Sequence, residues 1–204
     1  GQGESSGASE LARVALQGPP QQAGRHPEHI PFAVLSPQKP LTTEFFDQEV
    51  AAAIVALIDA YVASLGLNSR KVYLTGLSQG GIGTWGIASD PQYASRFAAV
   101  APVCGGFVHG NKAKRAAAMS DTPVWAFHGE NDSILPVDLS DSSYAALQAT
   151  TRTAYADAPK YTRLEHARGS DYSWAAAGVP RREPFRCSVS APWSAETGKS
   201  VDCE

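Results

Sequence analysis

The stretch Gly76-Leu77-Ser78-Gln79-Gly80 sets one serine between two glycines, and the residues on either side restrict how it can fold. Upstream, Lys71-Val72-Tyr73-Leu74-Thr75 reads as a buried strand. Downstream, Gly80-Gly81-Ile82-Gly83-Thr84-Trp85 reads as the opening of a helix. A serine on a tight strand-to-helix turn sits in strained backbone, and its neighbours two residues away must be small. Gly76 and Gly80 meet that need. Such a turn lifts the hydroxyl clear of the sheet edge and aims it at a helix N-terminus, which favours developing negative charge. Ser78 is therefore the candidate nucleophile. The plain alternative is a Gly-Ser turn without chemistry, but a strand before and a helix after make the pattern far more specific. The overlapping Gly81-x-Gly83-x-x-Gly86 matches a dinucleotide fingerprint in letters only. It starts inside the helix, and no Asp or Glu closes the next strand at Val103-Cys104-Gly105-Gly106. These glycines are expected to let the helix pack closely on the sheet.

Around this turn, short apolar runs alternate with longer helical stretches, the pattern of an α/β domain with a mostly parallel sheet. Strands are expected at Pro31–Leu35, Lys71–Thr75, Ala98–Val103, Pro123–Phe127 and Lys160–Leu164. Helices are expected from about Thr43 to Leu65, from Ser78 to Ser89, from Asn111 to Met119 and from Leu139 to Thr150. The first carries Val50, Ile54, Leu57, Ile58, Tyr61, Val62 and Leu65 at helical spacing, closed by Gly66. From Gly178 onward, prolines and scattered charges show no apolar period. The chain thus divides into a domain over residues 1–177 and an irregular or disordered tail over 178–204.

A length of 204 residues allows one domain with a real core. A formal net charge of −3 gives no electrostatic reason to expect nucleic acid as a partner. No apolar run reaches the roughly 18 residues of a membrane span. Gly1-Gln2-Gly3-Glu4-Ser5-Ser6 lacks the marks of a signal peptide, and the single methionine is Met119, so the chain reads as part of a longer or processed one. Cys104 ends an apolar run and reads as a small buried residue, whereas Cys187 and Cys203 are a possible pair in the tail. The cysteines leave the compartment open.

A serine nucleophile needs a base, and the base needs an orienting carboxylate, in the chain order serine, acid, histidine. The strand Pro123–Phe127 runs into His128-Gly129-Glu130-Asn131-Asp132-Ser133-Ile134-Leu135-Pro136. Asp132 lies just past the strand end, where the acid belongs, with Glu130 and Asp138 as competitors and an ordinary turn aspartate as the bland reading. His166 is the candidate base, since it follows the last expected strand, although a lone histidine beside Glu165 is also common on surfaces. His26, His29 and His109 precede the acid, and His128 on the strand end shapes the acid loop. His26-x-x-His29 shows no third ligand nearby, and no metal site is expected.

With these motifs in place, the sequence resembles the phospholipase/carboxylesterase and dienelactone-hydrolase-like predicted peptidases and esterases of the α/β-hydrolase superfamily. The matching stretches are Leu16-Gln17-Gly18-Pro19-Pro20, Pro31 to Gln38, Val72 to Trp85, Ala98 to Gly106 and Pro123 to Pro136. The resemblance implies an α/β-hydrolase fold and hydrolysis of small or acylated ester substrates through an acyl-enzyme on Ser78. It implies a triad of Ser78, Asp132 and His166 and no cofactor. Gly1-Gln2-Gly3-Glu4 is similar to the end of the family's His-Gly-x-Gly-Glu string. That alignment makes the backbone N–H groups of Gln2 and Gln79 the oxyanion hole and implies that the first strands are missing. Family members place the histidine in a Gly-His-Asp-x-Trp string, where this chain has Gly169-Ser170-Asp171-Tyr172-Ser173-Trp174. A hydrolase-fold binding protein with a broken triad is therefore the rival from another class. A peptidase or a polyester or feruloyl esterase is the rival within the same fold.

Overall fold

The computed structural model describes residues 8–16, 18–150, 160–168, 187–188 and 202–203. Helices α1 (Gly18–Arg25) and α2 (Gln48–Ser64) precede a parallel sheet of four strands. The strands are β1 (Tyr73–Leu77), β2 (Ala99–Val103), β3 (Trp125–Asn131) and β4 (Lys160–Arg168), in sequential order across the sheet. Parallel neighbours need crossover connections, and helices supply them. α3 (Gln79–Ala88), α4 (Lys112–Ala118) and α5 (Asp138–Thr150) each lie between successive strands. This is the α/β arrangement expected from the alternation of apolar runs.

The register of β1 on β2 runs unbroken from Tyr73 opposite Ala99 to Leu77 opposite Val103. β3 joins β2 at Val103 opposite Phe127. α3 is apolar on every side and is buried on most of them, with Gly81, Gly83, Thr84, Trp85, Ile87 and Ala88 all inside. The core gathers Trp85, Ile87, Val100, Met119, Ala126 and Leu147 from helices and strands on both sides of the chain's midpoint. Only Ala51 and Ile54 of α2 are fully buried, while Tyr61 and Leu65, expected on its buried stripe, are exposed. α2 also starts later than expected. Asp47 Oδ2 accepts the Glu44 N–H at 2.7 Å, which closes a turn there before the helix begins. Gly66, at φ 61°, ends it as expected, with its N–H donated to Ala63 O and the Leu67 N–H to Val62 O.

Two further expectations change. Pro31–Leu35 is no strand: Phe32, Val34 and Leu35 are between a third and a half exposed. A strand needs a ladder partner, and β1, the outer strand of the described sheet, has no ladder with this segment, the Phe32 and Tyr73 rings meeting with centroids 5.9 Å apart. β3 and β4 both run on past the apolar residues that announced them, because His128 and Gly129 pair with Arg163 and Leu164. Within the tail expected to be irregular, β5 (Cys187–Ser188) and β6 (Asp202–Cys203) form an antiparallel pair with Cys187 opposite Cys203. The expected boundary at 177 and 178 lies outside the described residues. Among the described residues, no helix is long and apolar enough to cross a membrane.

Candidate active site

Because the strands are parallel, their C-terminal ends form one edge, the edge where ligands bind in open α/β sheets. Ser78 follows β1 there, Cys104 follows β2, and Asp132 follows β3.

Ser78 has φ 59° and ψ −114°, a conformation a side chain rarely adopts, and it stands at the N-terminus of α3. The backbone around it is fixed on both sides. Its N–H donates to Val103 O at 3.1 Å, and its carbonyl accepts the Ile82 N–H at 2.9 Å. A Cβ on Gly76 would lie 2.7 Å from Gly80 Cα and would overlap the Gly80 carbonyl, so glycine is obligatory at 76. A Cβ on Gly80 would meet open space. The second steric demand falls instead on Gly81, whose Cβ would overlap the Cys104 and Val103 carbonyls. Gly81 thus packs α3 on the end of β2, while Gly83 and Gly86 make room for the Phe45 and Phe46 side chains rather than for the sheet.

Asp132 is the buried acid of its loop, its side chain 3% exposed. Oδ1 accepts the backbone N–H groups of Ile134 at 2.9 Å and Leu135 at 3.0 Å. That leaves Oδ2, 3.5 Å from His128 Nε2, as the oxygen with spare accepting capacity. The competitors are differently placed. Glu130 is 40% exposed and pairs with Arg163 at 3.3 Å. Asp138 is exposed in the first turn of α5.

His128 is fully buried and closes the acid loop from beneath. Its Nε2–H donates to Leu135 O at 2.8 Å, and Nδ1 is 2.6 Å from Ser140 Oγ. Ser140 Oγ also contacts Gly105 O at 2.6 Å, and three residues on, Ser143 Oγ accepts the Phe107 N–H at 2.8 Å. One face of α5 therefore holds both the loop after β2 and, through His128, the loop after β3. Ser140 and Ser143 were not singled out in the sequence. Their signal was the three-residue spacing that puts both on the buried face with Leu147.

Cys104 stands between nucleophile and acid. Burial pushes its thiol up to about 12, the Ser78 backbone N–H opposes that rise, and the Asp132 carboxylate adds to it. The thiol thus senses both groups. Neighbouring strands lie about 4.8 Å apart, so the ends of β1 and β3 are separated by roughly 10 Å.

His166 lies within β4 rather than on a loop after it. Gly129 pairs with Leu164 and Asn131 with Arg168, so residues 165–167 face Glu130 alone. This irregularity sets the His166 backbone beside the strand end that leads into Asp132, and the side chain lies outside the described residues. Gln2 and Ser170 also lie outside them. Gln79 opens α3 directly after Ser78. Glu28 turns onto both His26 and His29, supplying the neighbour that the sequence reading did not find. A small surface depression borders Ile82, Gly86, Phe107 and Arg115, and Ser78 does not line it.

Known proteins give this geometry a context. The chain is 30% identical over 127 residues to a bifunctional acetylxylan esterase/xylanase, XynS20E, of Neocallimastix patriciarum, covering 58% of this chain and 17% of that one. A thermostable esterase of known crystal structure is 28% identical, with a TM-score of 0.60 over 81% of this chain and 44% of the other. The chain spans less than half the length of either relative. Residues 19–172, most of the chain, match the phospholipase/carboxylesterase family, and the protein belongs to this family of α/β-hydrolase esterases.

Proposed function

We propose that this protein hydrolyses carboxylic esters through an acyl-enzyme on Ser78. The observation that supports this reading most is the backbone of Ser78, held at φ 59° on a strand-to-helix turn next to a helix N-terminus. Strain of this kind persists where the surroundings over-determine it, and it concentrates at reactive residues. In the proposed reaction, Ser78 Oγ attacks the acyl carbon while the His166 imidazole accepts its proton. The imidazole then protonates the leaving alcohol, and water releases the acyl group by the reverse sequence. Asp132 Oδ2 accepts the other imidazole N–H and orients the ring. The Gln79 N–H, joined by that of Gln2, stabilises the tetrahedral oxyanion, a contribution of roughly 3–4 kcal/mol for one donor. Small acyl esters are the substrates to try first, acetyl esters of sugars among them, given the name of the Neocallimastix relative.

The test is burst release of p-nitrophenol from p-nitrophenyl acetate. The wild-type chain gives a burst and Ser78→Ala gives none. His166→Ala and Asp132→Asn lower turnover by about 10³–10⁴-fold. In Asp132→Asn the amide oxygen still accepts the Ile134 and Leu135 N–H groups, so the loop stays folded while the charge is lost. An undiminished burst in Ser78→Ala overturns the nucleophile. Full turnover in His166→Ala removes that residue as base. A folded wild-type chain without turnover would support the binding-protein reading, which rests on Ser170 in the Gly169–Trp174 string.

A further inference from the structure

Away from the sheet edge, a second group of side chains converges on the connection between α1 and the segment that follows it. His26, Pro27, Glu28 and His29 form a single 3-10 turn over Pro27–His29. Pro27 presets the first dihedral of the turn. The backbone is tied before, within and after it: His26 N–H to Gln22 O at 2.7 Å, His29 N–H to His26 O at 3.0 Å, and Ile30 N–H to Pro27 O at 3.3 Å. On this frame, one carboxylate oxygen faces two imidazole nitrogens. Glu28 Oε1 is 3.5 Å from His26 Nδ1 and 3.4 Å from His29 Nε2. The three ligand atoms all lie within 4.8 Å of one another.

These separations are long for hydrogen bonds, which cluster near 2.9 Å. They match a different geometry. Zinc binds imidazole nitrogen and carboxylate oxygen at about 2.0–2.2 Å, and two such ligands at a tetrahedral angle are about 3.3–3.5 Å apart. The donor set is two neutral nitrogens and one anionic oxygen, which suits a borderline divalent ion better than the hard oxygen-seeking ions. Half-exposed side chains give an ion open access from solvent and leave its remaining positions to water.

We propose that His26, Glu28 and His29 bind one divalent transition-metal ion of the zinc class. The ion ties the two ends of the turn that follows α1 to each other, independently of the chemistry at Ser78. Because all three ligands sit on one short turn, binding requires side-chain rotation rather than movement of distant elements.

Zinc chloride is titrated by calorimetry into the EDTA-treated chain of 204 residues. The wild-type protein is expected to show saturable one-to-one binding. His26→Gln, His29→Gln and Glu28→Gln each weaken it at least about tenfold, the lower end of the loss seen when even an outer partner of a metal ligand is removed. His109→Gln, which alters a histidine whose ring is tilted against Phe46 with centroids 5.0 Å apart, leaves it unchanged. Undiminished zinc affinity in the His26→Gln/His29→Gln double variant assigns the ion to other groups and overturns the proposal. So does the absence of saturable binding to the wild-type chain.

Discussion

Glycines 76 and 80 look equivalent in the Gly-x-Ser-x-Gly string, yet they are not equivalent in space. A methyl group on Gly76 collides with the backbone of residue 80, and one on Gly80 touches nothing. Gly80→Ala is therefore expected to preserve the fold and, as an alanine inside a helix, to add about 0.5–1 kcal/mol of stability. Gly76→Ala is expected to abolish esterase activity and lower the melting temperature, since either the turn or the helix start must move. Thermal unfolding and p-nitrophenyl acetate turnover of the two variants check the contrast, and equal behaviour would contradict it. The sequence made the turn legible, because a strand and a helix around a glycine-flanked serine leave few geometries. It did not distinguish the two glycines. Which one is crowded depends on the direction each absent Cβ would take.

Among the elements, α3, β2 and α5 were legible nearly to their ends because each has a clear boundary in local chemistry. Asn111 likewise caps α4, its side chain accepting the Lys114 N–H at 3.0 Å. Strand ends were less legible. β3 continues through His128-Gly129-Glu130-Asn131, residues that read as a loop although the backbones of His128, Gly129 and Asn131 pair with β4. The same blind spot put His166 after the strand instead of within it. Pro31–Leu35 failed in the opposite sense, being apolar enough for a strand but lacking a described strand beside it. Pairing is a property of two segments, and neither alone reveals it. The acid loop shows how elements share work. Asp132 holds the Leu135 N–H, His128 holds the Leu135 carbonyl, and Ser140 of α5 holds His128. His128→Phe keeps a ring of similar size and removes both polar contacts. It is expected to cost about 1–3 kcal/mol in urea unfolding, chiefly from the stranded Leu135 carbonyl, since Ser140 Oγ keeps Gly105 O as a partner. Turnover should fall as well, because the loop that carries Asp132 loses one of its two ties. An unchanged unfolding midpoint would show that the tie is not needed.

For the molecule as a whole, the parallel sheet explains why residues 54 positions apart in sequence reach one edge: Ser78 and Asp132 each end a strand that points the same way. The core beneath that edge is contiguous, and Trp85, Met119 and Leu147 are almost wholly excluded from solvent. Such packing resists small adjustments, so it can hold one residue in an unfavourable backbone conformation. At φ 59° and ψ −114°, Ser78 is such a residue, as is Cys104 at φ 48°, and strain of this kind costs about 1–3 kcal/mol. Glycine adopts the same conformation freely. Ser78→Gly is expected to raise the melting temperature, the relief exceeding the roughly 0.4–1 kcal/mol that a glycine adds to the freedom of the unfolded chain. A lower melting temperature would show that the turn is unstrained. If the rise is found, heat tolerance and catalysis pull position 78 toward different amino acids. A library of variants selected only for surviving heat would enrich glycine there, and only a simultaneous demand for ester turnover would keep the serine.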